Sequence, residues 1–258
     1  MAEWRWPCPA PALRFDELDG VRMSPSRERP ADELRPIRIT RGYTEMTPGS
    51  VLIEMGRTVV LATASIADKV PHWMRNTNRG WVKAEYAMLP GSGNQRISRG
   101  SYTSGRPKEI SRLIGRSLRA VVALGKMADT MVVVDCDVIQ ADGGTRTAAV
   151  NAGWIALHDA LEWAVSEGRL AANPLLDRVA AISVGLVGGV ALLDLEYEDD
   201  VAASVDLNVV MTGRGLLVEV QGTAEQLPFS RAELDELLDL AAAGISRIAD
   251  LQAELVAG

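Results

Sequence analysis

Three stretches of this sequence carry side chains whose types and spacing suit chemistry on a polyanion. Between Arg96 and Arg119 stand seven basic residues (Arg96, Arg99, Arg106, Lys108, Arg112, Arg116 and Arg119) against one acid, Glu109, in a chain whose formal net charge is −7. A local basic field on an acidic protein steers nucleic acid to one mouth and repels it elsewhere. Arg112, Arg116 and Arg119 fall at i, i+4 and i+7, one stripe of a helix, although a solvated polar face has the same pattern. The second stretch is Asp142-Gly143-Gly144-Thr145-Arg146-Thr147, where a strand hands over to a long helix. Unpaired N–H groups at a helix start attract an anion, and glycines let it approach the backbone closely. Thr145 and Thr147 are able to cap the helix or donate hydroxyls, and Arg146 offers a fork of donors suited to phosphate. A capped helix with an exposed arginine is the competing reading.

The third stretch is acidic: Asp194-Leu195-Glu196-Tyr197-Glu198-Asp199-Asp200, with Asp206 six residues later. Strand alternation places Asp194 and Glu196 on one face of a strand end, with Asp200 and Asp206 flanking a short connector. Two carboxylates brought together in this way suit Mg²⁺ or Mn²⁺, which prefer oxygen ligands and accept phosphate as a co-ligand. An acidic loop that is merely solvated is the alternative. His72, His158, Asp135 and Asp137 invite a triad or metal assignment, but both histidines neighbour apolar or aromatic residues and read as packed or surface groups. Neither a Walker-type nor a dinucleotide-binding pattern fits: no Gly-Lys-Ser/Thr follows the glycines, and Gly91-Ser92-Gly93 lacks a third glycine.

The elements that must position these groups follow from local patterning. Short runs rich in Val, Ile and Thr predict strands over Pro36–Thr40, Ser50–Met55, Thr58–Ser65, Val82–Leu89 and Met131–Ile139. Gly91 to Gly105 reads as a loop, and Pro107 suits the first turn of a helix reaching to about Lys126. A long helix is expected from Thr145 to Gly168. Gly188-Gly189 and Gly213-Arg214-Gly215 mark two hairpins, and an amphipathic helix covers about Arg231 to Leu255. The body therefore reads as one α+β domain, residues 23–258, of mixed sheet with packed helices.

Composition bounds the class. With 47% hydrophobic and 24% charged residues in 258, the chain has the balance of a folded protein with a sizeable core. Two cysteines, Cys8 and Cys136, exclude a disulfide framework, and two histidines exclude a His-rich metal site. No apolar run approaches the roughly 20 residues of a membrane span, and a soluble cytoplasmic protein is expected. Residues 1–22, with prolines around Trp4, Trp6 and Cys8, read as a disordered extension, or translation starts at Met23.

Taken together, several blocks resemble the ribonuclease PH family. They are Arg35-Pro36-Ile37; Gly80-Trp-Val-Lys-Ala-Glu-Tyr-Ala-Met-Leu-Pro90; Gly105-Arg-Pro-Lys-Glu-Ile-Ser-Arg-Leu-Ile-Gly-Arg-Ser-Leu-Arg-Ala120; Asp135 to Thr147; Asp206-Leu-Asn-Val-Val-Met-Thr212; and Glu219-Val-Gln-Gly-Thr-Ala-Glu225. The resemblance spans about Arg29 to the C-terminus. It implies the ribonuclease PH fold, ribosomal protein S5 domain 2-like, and a phosphorolytic 3′→5′ exoribonuclease that trims tRNA 3′ ends as a reversible nucleotidyltransferase. It further implies inorganic phosphate as co-substrate, Mg²⁺ or Mn²⁺, and a homo-hexameric ring built as a trimer of dimers. Residue by residue, the implied phosphate site falls on Arg106, Gly144, Thr145 and Arg146, and the implied metal or acid–base carboxylates on Asp200 and Asp206. Arg96 and Arg99 are the corresponding RNA-gripping residues.

The chain departs from the family pattern around that grip. Gly91-Ser-Gly-Asn-Gln-Arg96 follows Pro90 where an Arg and a longer basic loop are usual, Gly100 stands where an acid is customary, and Ser104-Gly105-Arg106-Pro107 replaces Gly-Arg-Thr. Glu28 precedes Arg29 where Gly is typical. A weakly active or non-catalytic RNA-binding ring subunit of exosome type is the alternative function, and a hydrolytic nuclease using the same carboxylates with water is a third.

Overall fold

The computed structural model describes residues 27–67, 69–100, 105–127, 130–225 and 227–257. The expected extension at residues 1–22 and the alternative start at Met23 lie outside them. Among the described residues nine strands and four α-helices run in the order β1 (Ile37–Arg41), β2 (Gly49–Met55), β3 (Thr58–Ala67), β4 (Trp81–Met88), α1 (Gly105–Arg119), β5 (Met131–Gln140), α2 (Thr145–Ser166), β6 (Val179–Val187), β7 (Val190–Leu193), α3 (Tyr197–Ala202), β8 (Val205–Thr212), β9 (Leu217–Ala224) and α4 (Arg231–Ala257).

Two sheets result. The first has the order β1-β2-β3-β5-β4, antiparallel except for β4, which lies parallel to β5; the second, β7-β6-β8-β9, is antiparallel throughout. Strict alternation writes one face of the first sheet into the core: Val51, Ile53 and Met55 on β2, Val60, Ala62 and Ala64 on β3, Val132, Val134, Cys136 and Val138 on β5. By contrast β6 is buried at every position, because helices α2 and α4 pack on it and β7 and β8 flank it. The residues of α2 explain its place. Ala, Val, Trp, Ile and Leu surround the helix, and it is buried against β2, β3 and β5 of one sheet and β6 of the other. One apolar core therefore joins both sheets through α2.

The expected hairpins form: β6 turns into β7 through Gly188 (φ +60°) and Gly189 (φ +77°), and β8 into β9 through a turn that includes Gly215. Two boundaries differ from the local reading. Helix α1 stops at Arg119 rather than near Lys126, because Val121 N–H and Val122 N–H bond back only three residues, to Leu118 and Arg119, tightening the last turn until it ends. A bridge between Val122 and Leu175 then carries the chain away. The acidic run is not a strand end: β7 finishes at Leu193, Asp194 turns with φ +56°, and the short helix α3 carries the later acids. No helix among the described residues is long and apolar enough to cross a membrane.

Candidate active site

Strand β5 delivers the chain into the loop Asp142-Gly143-Gly144, from which α2 departs. The loop is held from below. Asp142 N–H donates to Thr58 Oγ1 at 3.0 Å, Thr58 donates to Gly143 O at 2.6 Å, and Arg35 Nη1 donates to Asp142 O at 2.6 Å. Arg35 is itself buried and grips Asp194 with both edges of its fork, Nε to Oδ2 at 3.0 Å and Nη2 to Oδ1 at 2.7 Å. The glycines are required here. Both have positive φ, and a Cβ on Gly143 would lie 2.4 Å from Leu195 O and 2.7 Å from Glu196 C. This close approach sets the loop directly against the backbone that leads into α3.

Gly144 is the N-cap of α2, and no side chain caps the helix. The two threonines that were candidates for that role are turned elsewhere. Thr145 Oγ1 shares a hydrogen bond of 2.8 Å with Tyr86 Oη, and Thr147 Oγ1 donates to Gly144 O at 2.8 Å. A 22-residue helix thus presents an N-terminus without a side-chain cap, the arrangement that favours a tetrahedral anion. Arg146 follows at the rim, mostly buried, its Nη1 donating to Gln221 Oε1 at 2.9 Å.

Arg106 lies on the first turn of α1, exposed, with Pro107 beside it. Its charge is felt at Tyr86 and at Asp200, as is that of Arg146. Burial pushes the Tyr86 phenol up, and the Thr145 hydroxyl, Arg106 and Arg146 partly offset that rise.

The acidic run divides into three roles. Asp194 is fully buried in its pair with Arg35, and Asp199 is fully buried beside Arg27 at 2.8 Å. Neither Asp194 nor Glu196 sits on a strand face: Asp194 turns the chain and Glu196 is the N-cap residue of α3. Asp200, exposed on α3, and Asp206, half-buried on β8, remain without an ion-pair partner among the described residues. Burial pushes the Asp200 carboxyl up, against the pull of Arg106 and Arg146. Burial also raises Asp206, and the neighbouring Asp200 and Glu225 raise it further. Two partly desolvated carboxylates that repel one another, next to an anion pocket, are a donor set that fits a hard divalent cation. Among the described residues no three His, Cys, Asp or Glu side chains form a cage.

The arginine stripe of α1 is largely spoken for. Arg116 makes a two-pronged bond with Glu219 on β9, at 2.9 and 2.6 Å, and Arg119 lies 4.3 Å over the Trp81 ring while donating to Val82 O. Among the described residues Arg112 alone of the three stays exposed without such a partner. Strand β9 and the start of β4, neither of them near in sequence, supply those partners. Arg96 and Arg99 are exposed on the loop after β4, whose base is closed by Ile97 N–H to Pro90 O and tied to Ala141 N–H through Ser92 O. No bond joins either arginine to the loop at residues 142–146 among the described residues. His158 bonds Asp159, which pairs with Arg41, and His72 lies in a short 3₁₀ turn.

Five residues near this site were not singled out for chemistry by sequence reasoning: Arg35, Tyr86, Glu109, Gln221 and Glu225. Each stands inside a block that carries the family resemblance, so the signal was present, but only the folded chain shows what each one faces.

Known proteins resemble this chain over most of its length. A model of the 3′ exoribonuclease family, domain 1, matches residues 33–161, and domain 2 of the same family matches residues 177–244. Ribonuclease PH of Methylobacterium radiotolerans is 51% identical over 238 residues, covering 91% of this chain and all of that one. Among solved structures, rice Rrp46 superposes with a TM-score of 0.71 at 21% identity, covering 88% of this chain and 97% of that one. The Archaeoglobus fulgidus exosome with RNA bound to the active site gives 0.74 at 22% identity, covering 86% and 90%.

Proposed function

Since the chain belongs to the 3′ exoribonuclease family of ribonuclease PH, we propose that it shortens tRNA precursors from the 3′ end by phosphorolysis, releasing nucleoside 5′-diphosphates. The observation that carries this reading is the start of α2, without a side-chain cap, beside Arg106, Arg146 and the Asp200–Asp206 pair. In this reading the N–H groups of Thr145 and Arg146, with the guanidinium groups of Arg146 and Arg106, bind orthophosphate and present it to the last internucleotide linkage. One phosphate oxygen attacks that phosphorus in line and the bond to the 3′ oxygen breaks. The freed 3′ oxygen takes up the proton that the phosphate gives up. An anhydride bond replaces a diester bond, so the step runs readily in both directions, and excess diphosphate extends the RNA.

Asp200 and Asp206 would hold Mg²⁺ or Mn²⁺. The ion supplies positive charge where negative charge gathers on the transferring phosphoryl group. Between them the arginines and the helix start bind and orient the anion. Arg96 and Arg99, on the exposed loop after β4, grip the RNA strand through its phosphates. Apolar side chains left uncovered on α3 and around β9 (Tyr197, Val201, Leu216, Leu217 and Val220) support self-association, and a homo-hexameric ring is part of the proposal.

The test is incubation of a 3′-extended tRNA with the protein and Mg²⁺, with and without inorganic phosphate. Nucleoside diphosphates formed only with phosphate are the expected result. Monophosphates without phosphate would make it a hydrolase, and bound but intact RNA would make it a non-catalytic ring subunit.

A further inference from the structure

Among the described residues Arg146 is engaged at one nitrogen only. Its Nη1 donates to Gln221 Oε1 at 2.9 Å and lies 3.5 Å from Glu109 Oε1, and Gln221 Nε2 donates to that same Glu109 oxygen at 3.1 Å. Glu109 comes from the first turns of α1, Arg146 from the first turn of α2 and Gln221 from β9, so three elements close one ring of polar contacts. A guanidinium has five N–H donors. With Nη1 occupied, the edge formed by Nε and Nη2 has no partner among the described residues and is open to an oxyanion.

The two partners of Arg146 differ in charge. Gln221 is neutral, so it orients the guanidinium without cancelling its charge. Glu109 is the single acid of the basic stretch from Arg96 to Arg119, and its side chain is 46% exposed at a long contact distance. A carboxylate there competes with phosphate for the same cation and repels a phosphate dianion bound next to it. Gln221 Nε2 keeps that carboxylate close.

Resting on the reading that Arg146 binds orthophosphate, we infer that Glu109 is a resident counter-anion that weakens the grip on phosphate, and that Gln221 is a positioning residue that aims Arg146. The pair acts in opposite directions on one constant. Glu109 raises the KM for phosphate and Gln221 lowers it. Phosphate is thereby held firmly enough to be aimed and loosely enough to exchange at each turnover.

The experiment is steady-state phosphorolysis of a 3′-extended RNA with phosphate titrated to saturation, for Glu109→Gln, Gln221→Leu, the double variant and Arg146→Ala. Glu109→Gln is expected to lower the phosphate KM about threefold, the effect of removing one screened charge at short range. Gln221→Leu is expected to raise it about tenfold, the loss of one hydrogen bond to a charged group. In both cases the change falls on the phosphate KM rather than on kcat or on the KM for RNA. The gain from Glu109→Gln should vanish in the double variant, since Gln221 no longer holds the two side chains together. An unchanged or raised phosphate KM in Glu109→Gln overturns the inference, even if Gln221→Leu fails to fold, because Glu109 lies on an exposed helical turn. If Arg146→Ala loses most of its phosphate-dependent cleavage while the other variants keep the wild-type phosphate KM, only this inference fails. If Arg146→Ala keeps the wild-type rate and phosphate KM, the reading of the site itself fails.

Discussion

Arg35 and Asp194, 159 residues apart, form a fully buried two-pronged ion pair directly beneath the loop that opens α2. The same guanidinium reaches Asp142 O at 2.6 Å, and its Nη2 lies 2.9 Å from where a Cβ on Gly144 would stand. Asp194 in turn begins the segment that leads to Asp200 on α3. One side chain therefore ties the anion-binding helix start to the element that carries a candidate catalytic carboxylate.

Breaking this pair is expected to be costly. Asp194→Asn or Arg35→Met leaves one buried charge without its partner and should destabilise the fold by about 3–5 kcal/mol in urea unfolding. Arg35→Lys should not rescue it, because an ammonium cannot reproduce the fork. The double variant Arg35→Met/Asp194→Leu should regain much of the stability yet stay poorly active, since Asp142 O has lost its donor. Full activity in that double variant would count against the link between the pair and the site.

Gly143 should tolerate no side chain. Gly143→Ala meets Leu195 O at 2.4 Å and must adopt φ +74°, so a cost of about 1–3 kcal/mol in thermal or chemical unfolding is expected. Activity should fall further than stability, because the clash pushes α3 away from the start of α2. Equal activity per folded molecule would show that the spacing of loop and helix does not matter.

The carboxylates give a pH dependence with a definite sign. Partial burial raises the carboxyls of Asp200 and Asp206, so their ionised forms, which a cation needs, are lost at a higher pH than those of an ordinary aspartate as acid is added. The acid limb of the rate profile should lie correspondingly high. For stability the sign reverses. A carboxyl raised by folding stabilises the folded state while protonated, below its unfolded value, and that contribution is lost as pH rises through the folded value. Asp206→Asn should therefore raise the unfolding temperature at neutral pH while cutting phosphorolysis by about a hundredfold or more. A less stable but fully active Asp206→Asn variant contradicts both halves.

Arg146→Ala should reduce phosphate-dependent cleavage by about 10²–10³-fold, the usual loss for one preorganised charged donor, with RNA affinity changed little. Rates across a phosphate titration, beside RNA binding by fluorescence anisotropy, separate the two. Arg146→Lys should recover only part of the loss, since one point charge replaces a planar fork.

Much of this molecule was legible locally. Alternating Val and Ile marked the strands of the first sheet, Gly188-Gly189 marked a hairpin, and Asp142 to Thr147 marked a strand-to-helix junction suited to an anion, because pleat, turn and helix-start signals act over a few neighbouring residues. The acidic run from Asp194 to Asp200 was visible too, but not its division of labour. Asp194 went to Arg35, Asp199 to Arg27, and Asp200 to the site only because strands and helices distant in sequence were brought to it. The same holds for Arg116 and Arg119, whose exposed stripe was answered by Glu219 and Trp81, and for Thr145, whose hydroxyl turned to Tyr86 instead of capping its helix. The sequence alone determined which chemical groups were available and which elements would carry them. Only the tertiary structure decided which charges were buried against a partner and which were left for a ligand, because a partner is chosen by packing in space and not by spacing along the chain.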